Sequence, residues 1–375
     1  MSAPARTTSG GAAKALVLEA PRRLVRREFP LPELGDDDGL LRVEACGLCG
    51  TDHEQFTGVL TMPRPFVPGH EIVGVIEAVG PRAAERWGVQ QGDRVALEPF
   101  QSCRVCQRCE TGDYRHCARH PFPDFYGAIP TDRPPGLWGG YADHVYLGPD
   151  AMLLPVPNDL DAVLSTVFNP LGAGIRWAVQ VPGTQSGDVV AVLGPGIRGL
   201  CAAAAAKDAG ADFVMVTGVG PRDDQRLALA RRFGADLTVD VAREDAVKAL
   251  RQSTGRDGAD VVVDVTAKAP EAFRQSMQLA RPGGTIVVAG TRGAAPVEGF
   301  TPDVVVLKEL HIVGALGVDV DAYRPALDLL ASDLWPFAEL PRRCVGLDGV
   351  EGLVLAMAGE TDEPPPVHGV VVPAA

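Results

Sequence analysis

Basic residues are outnumbered in this 375-residue chain, 35 Lys and Arg against 48 Asp and Glu, which leaves a formal net charge of −13. A surface of that sign repels phosphodiester backbones and anionic headgroups, so neither nucleic acid nor a membrane surface is an expected partner. No apolar run reaches the length of a membrane span, and the opening MSAPARTTSGGAAK lacks the hydrophobic core of a signal peptide. That opening reads as a flexible leader before the first strand, and the chain reads as cytoplasmic. Internal repeats are absent, and low complexity is confined to the Pro364–Pro366 run.

What is present is a globular composition, 46% hydrophobic and 22% charged, on a length that suits two domains. Up to about residue 180 the chain is rich in Gly, Pro and short β-like runs, among them Ala15–Leu18, Leu40–Glu44 and Ile72–Val79. Turn signals such as Pro68-Gly69 and Gly92-Asp93 separate them, as in a β-rich domain with long loops. From Asp188 the texture changes. Strand-like DVVAVLG precedes the Ala-rich helix LCAAAAAKDAGA, then strand FVMVTG and helix DDQRLALARRFGA. VVVDVT, PEAFRQSMQLA, TIVVAG, HIVGALG and YRPALDLLAS continue the alternation. Strands alternating with helices in this way read as βαβ units, and their near-continuous apolar character predicts a parallel sheet covered on both faces. After Trp335 short strand-like pieces return, ending in VHGVVVP. The α/β domain is therefore expected to be inserted: residues 1–180, then 181–330, with 331–375 returning to the first domain.

Four of the eight cysteines, Cys103, Cys106, Cys109 and Cys117, stand in a C-x2-C-x2-C-x7-C pattern within a lobe at about 99–120. In a reducing compartment that spacing favours metal over disulfide. Thiolates two residues apart can turn onto one tetrahedral ion, and a closed four-sulfur shell leaves no open position, so such a zinc holds a loop. Cys46, Cys201 and Cys344 read as buried core residues.

A second set of possible ligands is spread over three motifs. Cys49-Gly50-Thr51-Asp52-His53-Glu54 comes first, then Pro68-Gly69-His70-Glu71, then Asn169-Pro170-Leu171 after a helix expected to begin near Leu160. One thiolate, one imidazole and one carboxylate can hold zinc while leaving a position for water or substrate, as a catalytic zinc requires. Phe56 and Trp138 read as core residues or as pocket lining.

Gly194-Pro195-Gly196-Ile197-Arg198-Gly199 follows the strand Asp188–Leu193 and opens a helix expected from Leu200. In that context the glycines permit a tight turn and close backbone approach, and the helix N-terminus receives a dinucleotide's pyrophosphate. The second strand ends Val216-Thr217-Gly218-Val219-Gly220-Pro221-Arg222, with Gly218 where an acidic residue would bind the ribose 2′-hydroxyl of NAD. Losing that carboxylate removes its repulsion toward a 2′-phosphate, and Arg222 can pair with one. NADP is therefore expected ahead of NAD. Arg198 is unusual in this turn, and its guanidinium must find a partner.

In this order, these motifs resemble the zinc-containing medium-chain dehydrogenases, which include the alcohol, sorbitol, threonine and glucose dehydrogenases. The resemblance begins near Lys14 and extends to Gly92-Asp93-Arg94-Val95, Gly139-Gly140-Tyr141-Ala142 and Arg281-Pro282-Gly283-Gly284. It implies an α/β fold class: a Rossmann doubly wound parallel sheet beside a β-rich GroES-like catalytic domain. It also implies that Cys49 and His70 are zinc ligands, with Glu71 a third or one that exchanges with water. Thr51 falls where the family places the hydroxyl that relays the substrate proton, with His53 or Glu54 as terminal acceptor. Many members carry a His where Glu54 stands. Asn169 occupies a position that polyol relatives fill with Glu, so it reads as a contact to the zinc-bound water or the substrate. Relatives place an aliphatic residue at the position of Arg198, behind the nicotinamide. Ala96-Leu97-Glu98-Pro99 looks like the polyol and sugar branch.

The implied enzyme moves hydride between a secondary alcohol, polyol or sugar-like substrate and NAD(P), as a homodimer or homotetramer joined through the nucleotide domain. Two alternatives are a zinc-free enone or quinone reductase of the same superfamily and a non-catalytic NAD(P)-binding sensor or structural protein.

Overall fold

A computed structural model of the chain describes residues 11–293 and 295–374. Most of the expected leader lies outside the described residues, but Ala12–Lys14, assigned to it from sequence, already run within the first strand. The chain divides into two units, Met1–Phe168 with Ala338–Ala375, and Asn169–Phe337. Among the described residues no helix is long and apolar enough to cross a membrane.

The first unit is built from β1 (Ala12–Ala20), β2 (Arg23–Pro30), β3 (Gly39–Leu48), β4 (Glu71–Val79), β5 (Arg94–Leu97), β6 (His144–Leu147) and β7 (Leu153–Pro155). Helix α1 (Gly50–Thr57) follows β3 directly. β3 is central, antiparallel to both β4 and β6, and Leu41, Val43, Cys46 and Leu48 along it enter the core with Ile72 and Ile76 of β4. β2 went unread in the sequence because its RLVRREFP alternates arginines on a mostly exposed ribbon with no buried face to betray it.

The second unit opens with α2 (Phe168–Ile175), which straddles the division and moves the expected boundary from 180 back to 168. The reason is packing: a Cβ on Gly174 would lie 2.5 Å from the Cys201 backbone, so this helix is pressed onto the second unit. The helix expected to begin near Leu160 starts at Ala162, capped by Asp161, and is interrupted before Phe168. Ala162–Ser165 makes one short turn, and the chain restarts as α2, with Asn169-Pro170 in its first turn, where proline is tolerated.

Strands β8 (Val189–Leu193), β9 (Phe213–Gly218), β10 (Leu237–Asp240), β11 (Ala259–Asp264), β12 (Ala280–Val288) and β13 (His311–Gly314) form one sheet in the order β10-β9-β8-β11-β12-β13. Every pairing in it is parallel. This is the expected doubly wound arrangement, with its topological switch point between β8 and β11. All five residues of β8 are buried, as a strand covered on both faces requires. Helices α3 (Ile197–Asp208), α4 (Asp224–Arg232), α5 (Ala246–Thr254), α6 (Pro270–Leu279) and α7 (Val320–Ala331) belong to the same unit. α3 begins at Ile197 rather than Leu200, and its run Gly199–Ala206 is wholly buried; alanines give it high helix propensity and little bulk.

The chain then returns to the first unit through β14 (Arg342–Val345), α8 (Val350–Ala358) and β15 (His368–Val371). These complete a sheet ordered β14-β15-β3-β4-β5-β7. Cys46 and Cys201 are buried as expected, but Cys344 is exposed. β14 is an edge strand, so one of its faces meets solvent.

Candidate functional site

The register of β3 against β4 pairs Gly47 with Glu71. That pairing brings Cys49, just past the end of β3, and His70, just before β4, to the same end of the sheet. The sulfur of Cys49 lies 3.3 Å from His70 Nε2. Ligand atoms of Cys49, His70 and Glu71 all fall within 4.8 Å of one another, and all three residues are buried. A sulfur and a nitrogen on one tetrahedral zinc stand about 3.6 Å apart, so the donor set fits the ion. Gly47 leaves room for the Glu71 carboxylate in its present position, since a Cβ on it would sit 2.3 Å from Oε2 and displace that oxygen.

Asp52 is the residue the sequence analysis left without a role. It is buried, and its Oδ2 accepts the Cys49 backbone N–H at 2.9 Å. Its Oδ1 faces His70 Nδ1 at 3.9 Å. The carboxylate thus braces the Cys49 backbone by a hydrogen bond and faces His70 at ion-pair distance, the place of an outer-shell partner. The signal was the acidic residue three positions after a helix's leading residue, the spacing of a capping box.

The other residues of the first motif divide. Thr51 and Glu54 are half-buried on α1. His53 Nε2 is 2.6 Å from Glu360 Oε1, whose other oxygen takes Arg22 at 2.9 Å, so His53 ties α1 to the end of α8. Asn169 lies in the second unit, where its amide donates to the Tyr323 hydroxyl at 2.7 Å. Phe56 and Trp138 are core residues of the first unit.

The four-cysteine lobe also closes as its spacing implies. One ligand atom from each of Cys103, Cys106, Cys109 and Cys117 lies within 4.8 Å of the others. Zinc–sulfur bonds of about 2.3 Å place tetrahedral sulfurs about 3.8 Å apart, and Cys103 and Cys109 Sγ are 3.8 Å apart. The backbone N–H groups of Ala118 and Cys109 draw the Cys106 thiol down to about 6, whereas burial holds Cys109 up at about 12. Sulfurs this close do not all ionise without a cation among them. Glu98 anchors the base of the lobe, accepting from the Tyr114 hydroxyl at 2.8 Å and the Phe100 N–H at 3.1 Å.

In the second unit the glycine turn joins β8 to α3. Gly194 has φ +104°, and a Cβ on Gly199 would lie 1.8 Å from the Gly194 carbonyl oxygen. A Cβ on Gly196 would meet nothing within 4 Å, and no side chain caps the helix there. The turn therefore offers an open backbone cradle at a helix N-terminus, which fits a pyrophosphate. Ile197 and Arg198 form the first turn, and the Arg198 guanidinium stacks 5.2 Å over the Trp177 ring.

At the end of β9 the expected gap beside Gly218 is filled from elsewhere. A Cβ on Gly218 would press on Asp223, Pro195 and Leu227 at 3.0–3.1 Å. The Asp223 carboxylate folds back to accept the Val219 N–H at 2.9 Å, and Arg222 is exposed beside it. A carboxylate is thus present at this corner, supplied five positions later than the sequence pattern suggested.

Comparison with known proteins agrees with both halves. Residues 35–158 match the alcohol dehydrogenase GroES-like domain family and residues 199–332 the zinc-binding dehydrogenase family. A Mycobacterium tuberculosis protein named "probable alcohol dehydrogenase" is 66% identical over 367 residues, covering 98% of this chain and all of that one. A sorbitol dehydrogenase of Bacillus subtilis is 32% identical, over 74% of each chain. The structure of a Sinorhizobium meliloti protein described as a zinc-binding dehydrogenase, bound to NADP, superposes with a TM-score of 0.82 at 29% identity. That match covers 97% of this chain and 100% of the other.

Proposed function

Because this chain belongs to the zinc-type medium-chain dehydrogenase family, we propose that it oxidises a secondary alcohol, polyol or sugar-like hydroxyl with NAD(P), or runs the reverse reduction. The observation that carries this reading is the buried Cys49, His70 and Glu71 cluster with Asp52 behind it. Bound there, zinc supplies the Lewis acidity that makes a hydroxyl acidic near neutral pH, and the nicotinamide is the hydride acceptor.

The chain's own residues do the rest. Cys49, His70 and Glu71 would hold the ion, and Asp52 braces the Cys49 backbone with its second oxygen toward His70 Nδ1. Thr51 relays the substrate's hydroxyl proton, releasing its own as it accepts, and Glu54 is the terminal acceptor. His53, clasped by Glu360, acts as a positioning residue for α1. The four cysteines of the lobe hold a second, structural zinc. The N–H groups at the start of α3 bind the pyrophosphate, and Asn169 is a substrate contact.

NADP is the favoured cofactor, supported by Arg222 and by the NADP-bound structural relative. Asp223 supports the second reading, NAD, because its carboxylate suits a ribose hydroxyl better than a phosphate. A homodimer or homotetramer is supported by β13, the terminal strand of its sheet, with Ile312 and Val313 each 37% exposed and Leu307 83% exposed nearby. The thiolate lobe suits the reducing cytoplasm.

The test is formation of reduced nicotinamide from NADP or NAD with a panel of secondary alcohols, polyols and sugars. Turnover that disappears in Cys49→Ser supports the proposal. Reduction of enones with no alcohol oxidation points to the zinc-free reductase. Tight cofactor binding with no turnover of either class points to a sensor.

A further inference from the structure

Arg198 brings a full positive charge to the first turn of α3, the positive end of the helix. A cation there opposes the helix dipole. Its seat is nonetheless built. The guanidinium lies 5.2 Å over the ring of Trp177, which is buried and donates its indole N–H to the Gly317 carbonyl at 3.1 Å. The preceding residue, Arg176, pairs with Asp319 at 2.9 Å. Trp177 is thereby pinned to the segment that follows β13, and it holds Arg198 toward the β11–β13 half of the sheet.

That half has a meaning in a doubly wound sheet. A dinucleotide lies across the switch point between β8 and β11, with its adenosine ribose at the end of β9, so its second nucleotide lies over β11 to β13. The charge of Arg198 therefore belongs to the nicotinamide half of the crevice. In the reaction the alcohol carbon gives its hydrogen with both bonding electrons to the ring, and the hydroxyl gives up a proton. The ring passes from a cationic pyridinium to a neutral dihydropyridine. A fixed cation on this side repels the first and is indifferent to the second.

We propose that Arg198, seated on Trp177, is an electrostatic discriminator that makes the site bind reduced nicotinamide cofactor in preference to oxidised. The inference rests on the dinucleotide-site reading above. Its consequence is an internal equilibrium pulled toward carbonyl and reduced cofactor.

The test is a binding measurement on the zinc-replete full chain. Dissociation constants for NADPH, NADP, NADH, NAD and ADP-ribose are measured by calorimetry for wild type, Arg198→Met and Arg198→Lys. In Arg198→Met the ratio of oxidised to reduced affinity is expected to rise about tenfold, the scale of one charge–charge interaction in partly screened protein. Arg198→Lys keeps the wild-type ratio, ADP-ribose is unaffected by either change, and added salt shrinks the difference. An unchanged ratio in Arg198→Met overturns the proposal. So does a parallel loss of ADP-ribose affinity, which would make Arg198 a phosphate ligand. If wild type binds none of these nucleotides, the dinucleotide reading itself falls, which is a separate result from an unchanged ratio.

Discussion

Asp52→Asn is the substitution whose effect the geometry determines most closely, because the side chain keeps its shape and loses an acceptor. Asp52 Oδ2 accepts the Cys49 N–H at 2.9 Å, while Oδ1 faces His70 Nδ1 at 3.9 Å. An asparagine can satisfy one of these and not both. With its oxygen toward Cys49, its NH2 replaces a carboxylate oxygen facing His70 Nδ1, which favours the tautomer with its lone pair on Nδ1. A neutral imidazole carries a single proton, and the tautomer that places it on Nε2 cannot bind metal there. With the amide turned over, two N–H groups oppose each other at Cys49. Outer-shell changes of this kind typically cost about 10- to 100-fold in metal affinity or activity, or about 1.4–2.7 kcal/mol. The assay is a competition series with a zinc chelator, read by elemental analysis, beside kcat/KM for the best substrate. We expect one of the two zincs to be lost at a chelator concentration about 10- to 100-fold lower, with the lobe zinc retained. An Asp52→Asn protein that holds zinc and turns over like wild type would refute the bracing role.

Other outcomes follow from the same geometry. Gly199→Ala places a methyl 1.8 Å from the Gly194 oxygen; overpacking of this kind costs roughly 1–3 kcal/mol. Cofactor affinity should therefore fall about tenfold or more in a fluorescence titration, with zinc content unchanged. His368 tests pH dependence. Burial, reinforced by Arg342, holds its pKa down at about 3, and it accepts from Arg342 Nε at 2.9 Å and bonds Thr166 at 3.2 Å. Above pH about 6.5 the residue is neutral folded or unfolded and its contribution is complete. As pH falls from there toward about 3, the unfolded chain gains a proton that the folded one refuses, at about 1.4 kcal/mol per pH unit. Urea unfolding should therefore show wild type losing more stability than His368→Gln over that acid range; matching pH profiles would contradict the assignment.

Much of this was legible in the sequence, for physical reasons. The four-cysteine spacing and the strand–glycine–helix pattern are local: chain geometry over a few residues brings Cys103 to Cys117 together and opens the Gly196 turn. The resemblance to a known family supplied what spacing alone does not, that Cys49 and His70–Glu71 meet. Only the register of β3 on β4 brings them together in space. What escaped depended on tertiary pairing. Asp223 reaches back over Gly218, Asn169 is engaged by Tyr323, and His53 is taken by Glu360, each partner unrecognisable from the motif itself. Cys344 was misplaced because hydrophobic character says little about an edge strand, where pairing stops on one side.

The central claim is that the chain holds one zinc for chemistry and another for structure. The most direct measurement is zinc per chain by elemental analysis on protein purified without chelator, for wild type, Cys49→Ser and Cys106→Ser. The account predicts two in wild type and one in each variant, with Cys49→Ser folded but inactive and Cys106→Ser less resistant to heat. A single zinc in wild type that survives Cys49→Ser would contradict it, leaving the Cys49, His70 and Glu71 cluster without its metal.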